Sequence, residues 1–245
     1  MRTILVAIFL LFYFLLGLPV LGVEWIYAKI NKEKAELHQL RIVQWAFRVI
    51  MVISGVKLEI QGEENIPKDE AVLYIGNHRG IFDVLATYPM CPQRTGYISK
   101  MSIKKVPFLR LWMKRLHCLF IDRDDIKQSL KVILAAIDLI NEGISVCVFP
   151  EGTRCRDTED PTNMLQFKEG TFKIALKTGC KIVPFAITGT GEILEQHVPW
   201  IRKNTVKLTY GAPIDPNSLD KEEQKRIGAY CQEVIHKMLV EQQEK

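Results

Sequence analysis

The sequence lacks charged residues over one long stretch and acidic residues over another, and it has no closely paired cysteines. Its 245 residues carry no charge at positions 3–23 and no Asp or Glu between Asp83 and Asp122. None of the six cysteines stands in a C-x-x-C pair, and several lie in apolar runs: Cys91, Cys118, Cys147, Cys155, Cys180 and Cys231. The cysteines are therefore predicted to be reduced and mostly buried, which favours a cytosolic compartment and argues against a zinc site.

Length and charge limit the class of protein further. The chain is 48% hydrophobic and 25% charged, which is sufficient for one sizeable core or one domain with an appendage. Its net charge of +5 at pH 7 is modest. That charge suits an anionic substrate or an anionic membrane surface, and it does not require nucleic acid as a partner.

The charge-free segment 3–23 is long enough to cross the hydrocarbon core of a membrane as a helix. Trp25 and Tyr27 follow at the position of an interfacial belt, and three lysines come within the next ten residues, whereas only Arg2 precedes the segment. This bias predicts that the rest of the chain lies on the cytoplasmic face of the cell membrane. A cleaved signal peptide is the alternative, and Gly17 and Pro19 also permit a bent helix that enters the membrane without spanning it.

A second apolar stretch covers residues 39–56 and has a narrow polar stripe formed by Arg41, Gln44 and Arg48. It is predicted to be an amphipathic helix that lies in the membrane interface, or a core helix with its stripe in water. We therefore interpret residues 1–54 as a membrane-anchoring two-helix segment.

Residues 55–245 are predicted to form one α/β domain. Val56 to Gln61 alternates like a strand, and further strands are predicted at 70–75, 95–99, 117–121, 144–149, 182–187 and 205–210, with helical periodicity between several of them. This alternation is typical of a mixed, largely parallel sheet flanked by helices. A charged helix over 219–241 is expected to close the domain.

One heptapeptide, residues 77–83, combines a histidine and an aspartate directly after a predicted strand. Asn77 and Gly80 favour a turn, and a helix is expected from about Ile81. A bent turn can bring His78 within reach of Asp83, so that the carboxylate holds one ring nitrogen and the other is free to act as a base. The alternative is a histidine that is only a satisfied polar residue at a strand end.

Three further clusters fall at the ends of predicted strands, where open α/β sheets place their ligand sites: residues 120–123, 149–154 and 182–185, the last of which is a strand that carries a proline. The first supplies Arg123, and the second supplies Gly152, Thr153 and Arg154. A glycine after a strand lets backbone N–H groups approach a phosphate, and a guanidinium can bind it in a bidentate manner. Each cluster alone could be a structural turn with a surface ion pair.

The interval without acidic residues mixes basic and bulky apolar side chains. Its cations are Arg94, Lys100, Lys104, Lys105, Arg110, Lys114 and Arg115, and Phe108, Leu109, Leu111, Trp112 and Met113 lie among them. Such a mixture is typical of a membrane-surface patch or of a site for a long anionic ligand. A solvated helix face is the alternative.

The four motifs N-H-x-x-x-x-D at 77–83, F-I-D-R at 120–123, F-P-E-G-T-R at 149–154 and I-V-P-F at 182–185 resemble those of a known family. The chain is similar, over roughly residues 55–215, to the bacterial 1-acyl-glycerol-3-phosphate acyltransferase branch of the glycerolphosphate acyltransferases. Lys100 and residues 167–170 match less diagnostic positions. Two departures are Gly80, where the family often has Ser, and Cys155, where Ser is frequent.

The resemblance implies a mechanism and a set of site residues. His78 would be the general base, oriented by Asp83, and would activate the sn-2 hydroxyl of lysophosphatidic acid for attack on the thioester of acyl-CoA or acyl carrier protein. No metal or cofactor is expected, and membrane lipids are expected partners. The implied substrate-binding residues are Asn77, Lys100, Arg123, Glu151, Gly152, Thr153 and Arg154. Glu151 is expected to brace an arginine or to accept from backbone amides.

Other functions were weighed on the same residues. A serine hydrolase is not supported, because no G-x-S-x-G occurs and residues 143–147 fail that pattern at Cys147. A metal-dependent phosphatase needs more ligands than His78 and Asp83 supply. A non-enzymatic membrane-surface protein would not need the His-Asp pair. An acyltransferase for glycerol 3-phosphate or a lysophospholipid stays open as an alternative.

Overall fold

The computed structural model describes residues 1–244, so the last residue of the predicted range 55–245 lies outside the described residues. Within that part the helices are α1 Arg2–Ile30, α2 Lys32–Ser54, α3 Ile81–Thr87, α4 Pro107–Arg115, α5 Ile126–Asn141, α6 Lys173–Thr178, α7 Lys221–Lys225 and α8 Ile227–Glu244. The strands are β1 Lys57–Gln61, β2 Leu73–Gly76, β3 Thr95–Lys100, β4 Leu119–Ile121, β5 Ser145–Val148, β6 Ile182–Thr188 and β7 Thr205–Tyr210.

All these strands join one sheet in the order β1-β7-β6-β2-β5-β3-β4. The run β6-β2-β5-β3-β4 is parallel throughout, whereas β7 is antiparallel to β6 and parallel to β1. The prediction of a mixed, largely parallel sheet flanked by helices is confirmed. Because five neighbouring strands point the same way, their carboxyl ends meet at one edge of the sheet, with β2 near the centre of that edge.

Local signals explain where several elements begin and end. Helix α2 begins after Asn31, whose side chain accepts from the Lys34 amide at 3.0 Å, and α5 begins after Asp125, which accepts from the Gln128 amide at 3.0 Å. Both are N-caps that satisfy amides without a partner inside the helix. The charged helix predicted over 219–241 is divided into α7 and α8.

The polar stripe of α2 is only partly exposed, because Arg41 and Arg48 are exposed whereas Gln44 is buried. The Gln44 amide donates to the Tyr88 and Cys91 carbonyls at 3.1 and 2.8 Å, and Gln44 is fully buried. Arg48 donates to the Pro89 carbonyl at 3.0 Å. The stripe is therefore used to attach α2 to the segment after α3, because those carbonyls need donors inside the protein.

Helix α1 packs along α2 and remains largely exposed on its other side, where Ile4, Leu11 and Leu16 are exposed. By length and composition it is able to cross a membrane. Near its start, Thr3 Oγ1 accepts from the Ile201 amide at 2.8 Å, and further along Tyr13 stacks on Trp112 of α4 with ring centroids 5.5 Å apart. Helix α1 thus contacts both the β6–β7 connection and α4.

Candidate active site

The turn after β2 brings His78 and Asp83 together. Their Nδ1 and Oδ2 atoms are 2.6 Å apart, because the extended residue Gly80 separates the strand end from the first turn of α3. Asp83 Oδ2 also accepts from the backbone amides of Arg79 and Gly80 at 2.7 and 2.9 Å. Four donors in all converge on this buried carboxylate, since Thr190 Oγ1 donates to its Oδ1 at 2.5 Å.

Two contacts hold the His78 ring. Phe149 stacks against its face with centroids 4.2 Å apart and planes 15° apart, and Asp83 fixes Nδ1. In residues 1–244 no protein group hydrogen-bonds to Nε2, and 15% of the side chain is exposed. With a proton on Nδ1 directed to Asp83, the Nε2 lone pair is available to a substrate proton at the sheet edge.

Glu151 supports the histidine turn from the neighbouring strand β5. Its Oε1 accepts from the His78 amide at 2.6 Å and its Oε2 from the Leu165 amide at 2.8 Å. The side chain is buried, and this burial raises the pKa of its carboxyl group above the usual range. Of the two expected roles the structure shows the second, in which Glu151 accepts from backbone amides through both carboxylate oxygens.

Gly152 occupies the left-handed region, with φ at 77°, and a Cβ there would lie 2.9 Å from the Lys168 ammonium nitrogen. The glycine therefore allows a tight turn over which Lys168 lies closely. Thr153 and Arg154 follow and are exposed. Lys168 is thus a cation beside this turn in addition to Arg154.

Arg154 points toward the β6 side of the site. Its Nη1 lies 3.3 Å from Glu195 Oε1. A cavity of about 450 Å³ adjoins this pair, and its lining includes Arg79, Arg156 and the glycines after β6, Gly189 and Gly191. Arg79 is buried, and its guanidinium donates to the carbonyls of Asp157, Asp160 and Asn163, which holds the loop beyond the turn.

Arg123 and Lys100 lie on the opposite flank of the site. Lys100 ends β3 in an exposed position, and Arg123 follows the edge strand β4, which is three strand positions or about 14 Å from β2. Partial burial lowers the pKa of the Arg123 guanidinium below its usual value. No hydrogen bond or ion pair joins Arg123 to residues 151–154 within the described chain, so the predicted phosphate residues are divided between two flanks.

Asn77 occupies a different place from the one predicted. Its Nδ2 donates to the Ile187 carbonyl and its Oδ1 accepts from the Ile187 amide, each at 2.8 Å. The side chain is fully buried. Both polar atoms are therefore used to connect β2 with β6, and the structure assigns Asn77 a positioning contact in place of the predicted contact with substrate.

Thr190 and Glu195 were missed by the sequence reasoning, although both contact the candidate site. They follow β6, in the stretch T-G-T-G-E-I-L-E at 188–195. A glycine-rich polar stretch directly after a buried strand was the available signal, and it has the same form as residues 77–83 and 149–154. Among residues 1–244, no group of three or more His, Cys, Asp or Glu side chains is arranged to hold a metal ion.

The fold and the site define an α/β protein with a histidine–carboxylate pair between two cationic flanks. A solved structure with a similar fold is that of the 1-acyl-sn-glycerophosphate (LPA) acyltransferase PlsC from Thermotoga maritima, with a TM-score of 0.80, 24% identity and coverage of 98% of this chain and 97% of that one. Residues 57–188 match the model of the Acyltransferase family. The chain belongs to the Acyltransferase family.

Named relatives agree with this membership. A 1-acyl-sn-glycerol-3-phosphate acyltransferase of Borreliella burgdorferi is 28% identical over 192 residues, which cover 78% of this chain and 75% of the relative. The chloroplastic 1-acyl-sn-glycerol-3-phosphate acyltransferase BAT2 of Brassica napus is 31% identical over 165 residues, which cover 67% of this chain. The matched region spans 46% of that plant protein, so the chain corresponds to about half of its length.

Proposed function

We propose that the protein transfers a fatty acyl chain from an acyl thioester to the sn-2 hydroxyl of 1-acyl-glycerol 3-phosphate and so produces phosphatidic acid. The observation that carries the proposal is the His78–Asp83 pair, 2.6 Å apart at the carboxyl edge of an Acyltransferase-family sheet, in which no group of residues 1–244 hydrogen-bonds to Nε2 of the histidine. The acceptor is proposed from the two relatives above, which are named 1-acyl-sn-glycerol-3-phosphate acyltransferases.

In the proposed reaction His78 Nε2 takes the proton of the acceptor hydroxyl as its oxygen attacks the thioester carbonyl carbon. The carbon–sulfur bond then breaks, and the departing thiolate receives the proton from the imidazolium. Asp83 keeps the ring oriented and stabilises its protonated form. An imidazole can accept and return a proton near neutral pH, which suits both proton transfers.

The acceptor phosphate is assigned to the turn at Gly152, Thr153 and Arg154, with Lys168 beside it. Exposed backbone and cationic groups at the end of a strand favour a phosphate. Glu151 holds the turn against the His78 backbone, so that the phosphate and the base have a fixed separation. Arg123 and Lys100, on the other flank, are available to an anionic part of either substrate.

The protein is proposed to work at the cytoplasmic face of the cell membrane, where a single-chain lipid acceptor is concentrated. In support, α1 exposes a row of apolar side chains. Phe108, Leu109 and Leu111 of α4 are exposed next to lysines and arginines, and Phe108 stacks on Phe14 of α1 at 6.1 Å. This arrangement suits an anionic bilayer surface.

The test is an acyl-transfer assay on purified protein with a panel of acceptors: 1-acyl-glycerol 3-phosphate, glycerol 3-phosphate and neutral or zwitterionic lysophospholipids. Acyl-CoA and acyl carrier protein are offered separately as donors, and products are identified by mass. We expect phosphatidic acid from the first acceptor. Greater turnover of another acceptor would replace the assigned acceptor, and no transfer to any acceptor would reject the function.

A further inference from the structure

Glu195 connects three parts of the candidate site. Its Oε1 accepts from the Ile81 amide, the first of α3, at 2.7 Å, and lies 3.3 Å from Arg154 Nη1. Its Oε2 is buried and has no hydrogen-bond partner in residues 1–244. The contact with the Ile81 amide supports α3, the helix that carries Asp83. The contact with Arg154 holds an arginine that is assigned to the acceptor phosphate.

Gly80 provides the space that the Glu195 carboxylate occupies. Gly80 is the N-cap residue of α3, and a Cβ added there would lie 2.6 Å from Glu195 Oε2 and 2.9 Å from its Cδ. A serine, threonine or aspartate at an N-cap normally accepts from the first amides of its own helix. In this chain the carboxylate of a distant residue takes over part of that task, which requires that the N-cap residue has no side chain.

The segment that carries Glu195 also carries the donor to Asp83. Thr190 donates to Asp83 Oδ1, and turns that join Ile193 to Thr190 and Gln196 to Gly191, each by a 3.2 Å hydrogen bond, keep the segment compact. The carboxylate of Glu195 therefore has a fixed position relative to the His78–Asp83 pair. The Arg154 guanidinium, which this carboxylate holds, is therefore also fixed relative to the His78–Asp83 pair.

We propose that Glu195 is a positioning residue, which holds Arg154 and the first turn of α3 in one arrangement and so fixes the acceptor's phosphate relative to the base. The part that concerns the phosphate rests on the proposed function. The part that concerns Gly80, Glu195 and α3 is a property of the fold alone. Two experiments therefore separate the two parts.

The first experiment measures thermal unfolding of the full-length protein with Gly80→Ser, Glu195→Ala and both changes together. We expect each single change to lower Tm, since the serine meets the carboxylate and the alanine leaves the Ile81 amide without an acceptor. The double variant is expected to have a higher Tm than either single variant, because the serine hydroxyl then caps α3 in the vacated space. Additive losses in the double variant would overturn the proposed pairing, whether or not the protein transfers acyl groups.

The second experiment compares Glu195→Gln with the matched control Glu241→Gln in the acyl-transfer assay. Glutamine keeps an acceptor for the Ile81 amide and removes the charge that holds Arg154. We expect KM for 1-acyl-glycerol 3-phosphate to rise roughly tenfold, the equivalent of one charge-assisted contact, with kcat within about twofold of wild type. Glu241 is exposed on α8 and does not line this cavity, so its change is expected to leave both constants unaltered.

The Arg154→Ala background decides whether Glu195 acts through the arginine. In that background Glu195→Gln is expected to cause no further rise in the acceptor KM, since there is no guanidinium to position. An equal rise with and without Arg154, or a fall in kcat with KM unchanged, would overturn the positioning role.

Discussion

At the scale of single residues, the Asp83 carboxylate is the group on which the candidate site most depends. It accepts from the His78 ring, two backbone amides and the Thr190 hydroxyl, and it is fully buried. A buried carboxylate with this many donors has its position fixed by the backbone as well as by the histidine. An uncharged amide in its place would direct an N–H₂ group toward at least one of these donors.

We therefore expect His78→Ala to reduce kcat by roughly 10²- to 10⁴-fold, the usual contribution of a positioned base. Asp83→Asn is expected to reduce kcat strongly as well, because the ring loses the partner that sets its tautomer and orientation. Product formation is measured by mass, and thermal unfolding shows whether each variant is folded. His236→Ala, an exposed histidine on α8, is the control and should keep full activity. Near-normal turnover in folded His78→Ala would reject the mechanism.

At the scale of elements, the sheet order places the two cationic clusters on either side of His78. Arg154 follows β5 and extends to the β6 side, whereas Arg123 follows the edge strand β4. The sequence predicted both clusters from their positions after apolar runs, since that signal is local. It could not predict their separation, because the strand order β6-β2-β5-β3-β4 depends on pairing between distant segments.

This separation leads to a prediction for the two arginines. Arg154→Ala should raise KM for the acceptor much more than KM for the donor, and Arg154→Lys should rescue poorly because an ammonium cannot bind a phosphate in a bidentate manner. In the described chain no hydrogen bond or ion pair joins Arg123 to Arg154. The fold-decreases in kcat/KM caused by Arg123→Ala and by Arg154→Ala should therefore multiply in the double variant. Steady-state kinetics of both singles and the double variant measure this. A double variant no worse than Arg154→Ala would mean that both arginines bind one phosphate.

The same distinction between local and distant determinants explains the other differences at this scale. Strand β5 was predicted well, at 144–149 against the observed Ser145–Val148, because its apolar run is a local signal. The hydrogen-bond partners of the polar stripe of α2 were not predicted, since the carbonyls that Gln44 and Arg48 contact lie more than forty residues away in the sequence. Thr190 and Glu195 were missed for the same reason: their partners, Asp83 and Ile81, are more than one hundred residues distant.

At the scale of the whole molecule, α1 packs along α2 and exposes its other side. It contacts the β6–β7 connection near its start and α4 at Tyr13 and Gly17. Deleting residues 1–23 would remove the apolar surface, but it would also uncover Trp112, which is buried beneath α1. Substitutions on the outer side of α1 are therefore a cleaner test of membrane binding than truncation.

We expect Leu11→Asp with Leu15→Asp to reduce flotation of the protein with anionic lipid vesicles, because both side chains are 57% exposed and their replacement leaves the packed side of α1 intact. Residual binding should fall as salt rises, since attraction by the cations of α4 is screened over about 8–10 Å at physiological ionic strength. Ile126→Asp with Leu130→Asp, on exposed positions of α5, is the matched control and should float like wild type. If the α1 variant floated as well as wild type at every salt concentration, α1 would not be the membrane contact, and an equal loss in the control would show that added charge alone is responsible.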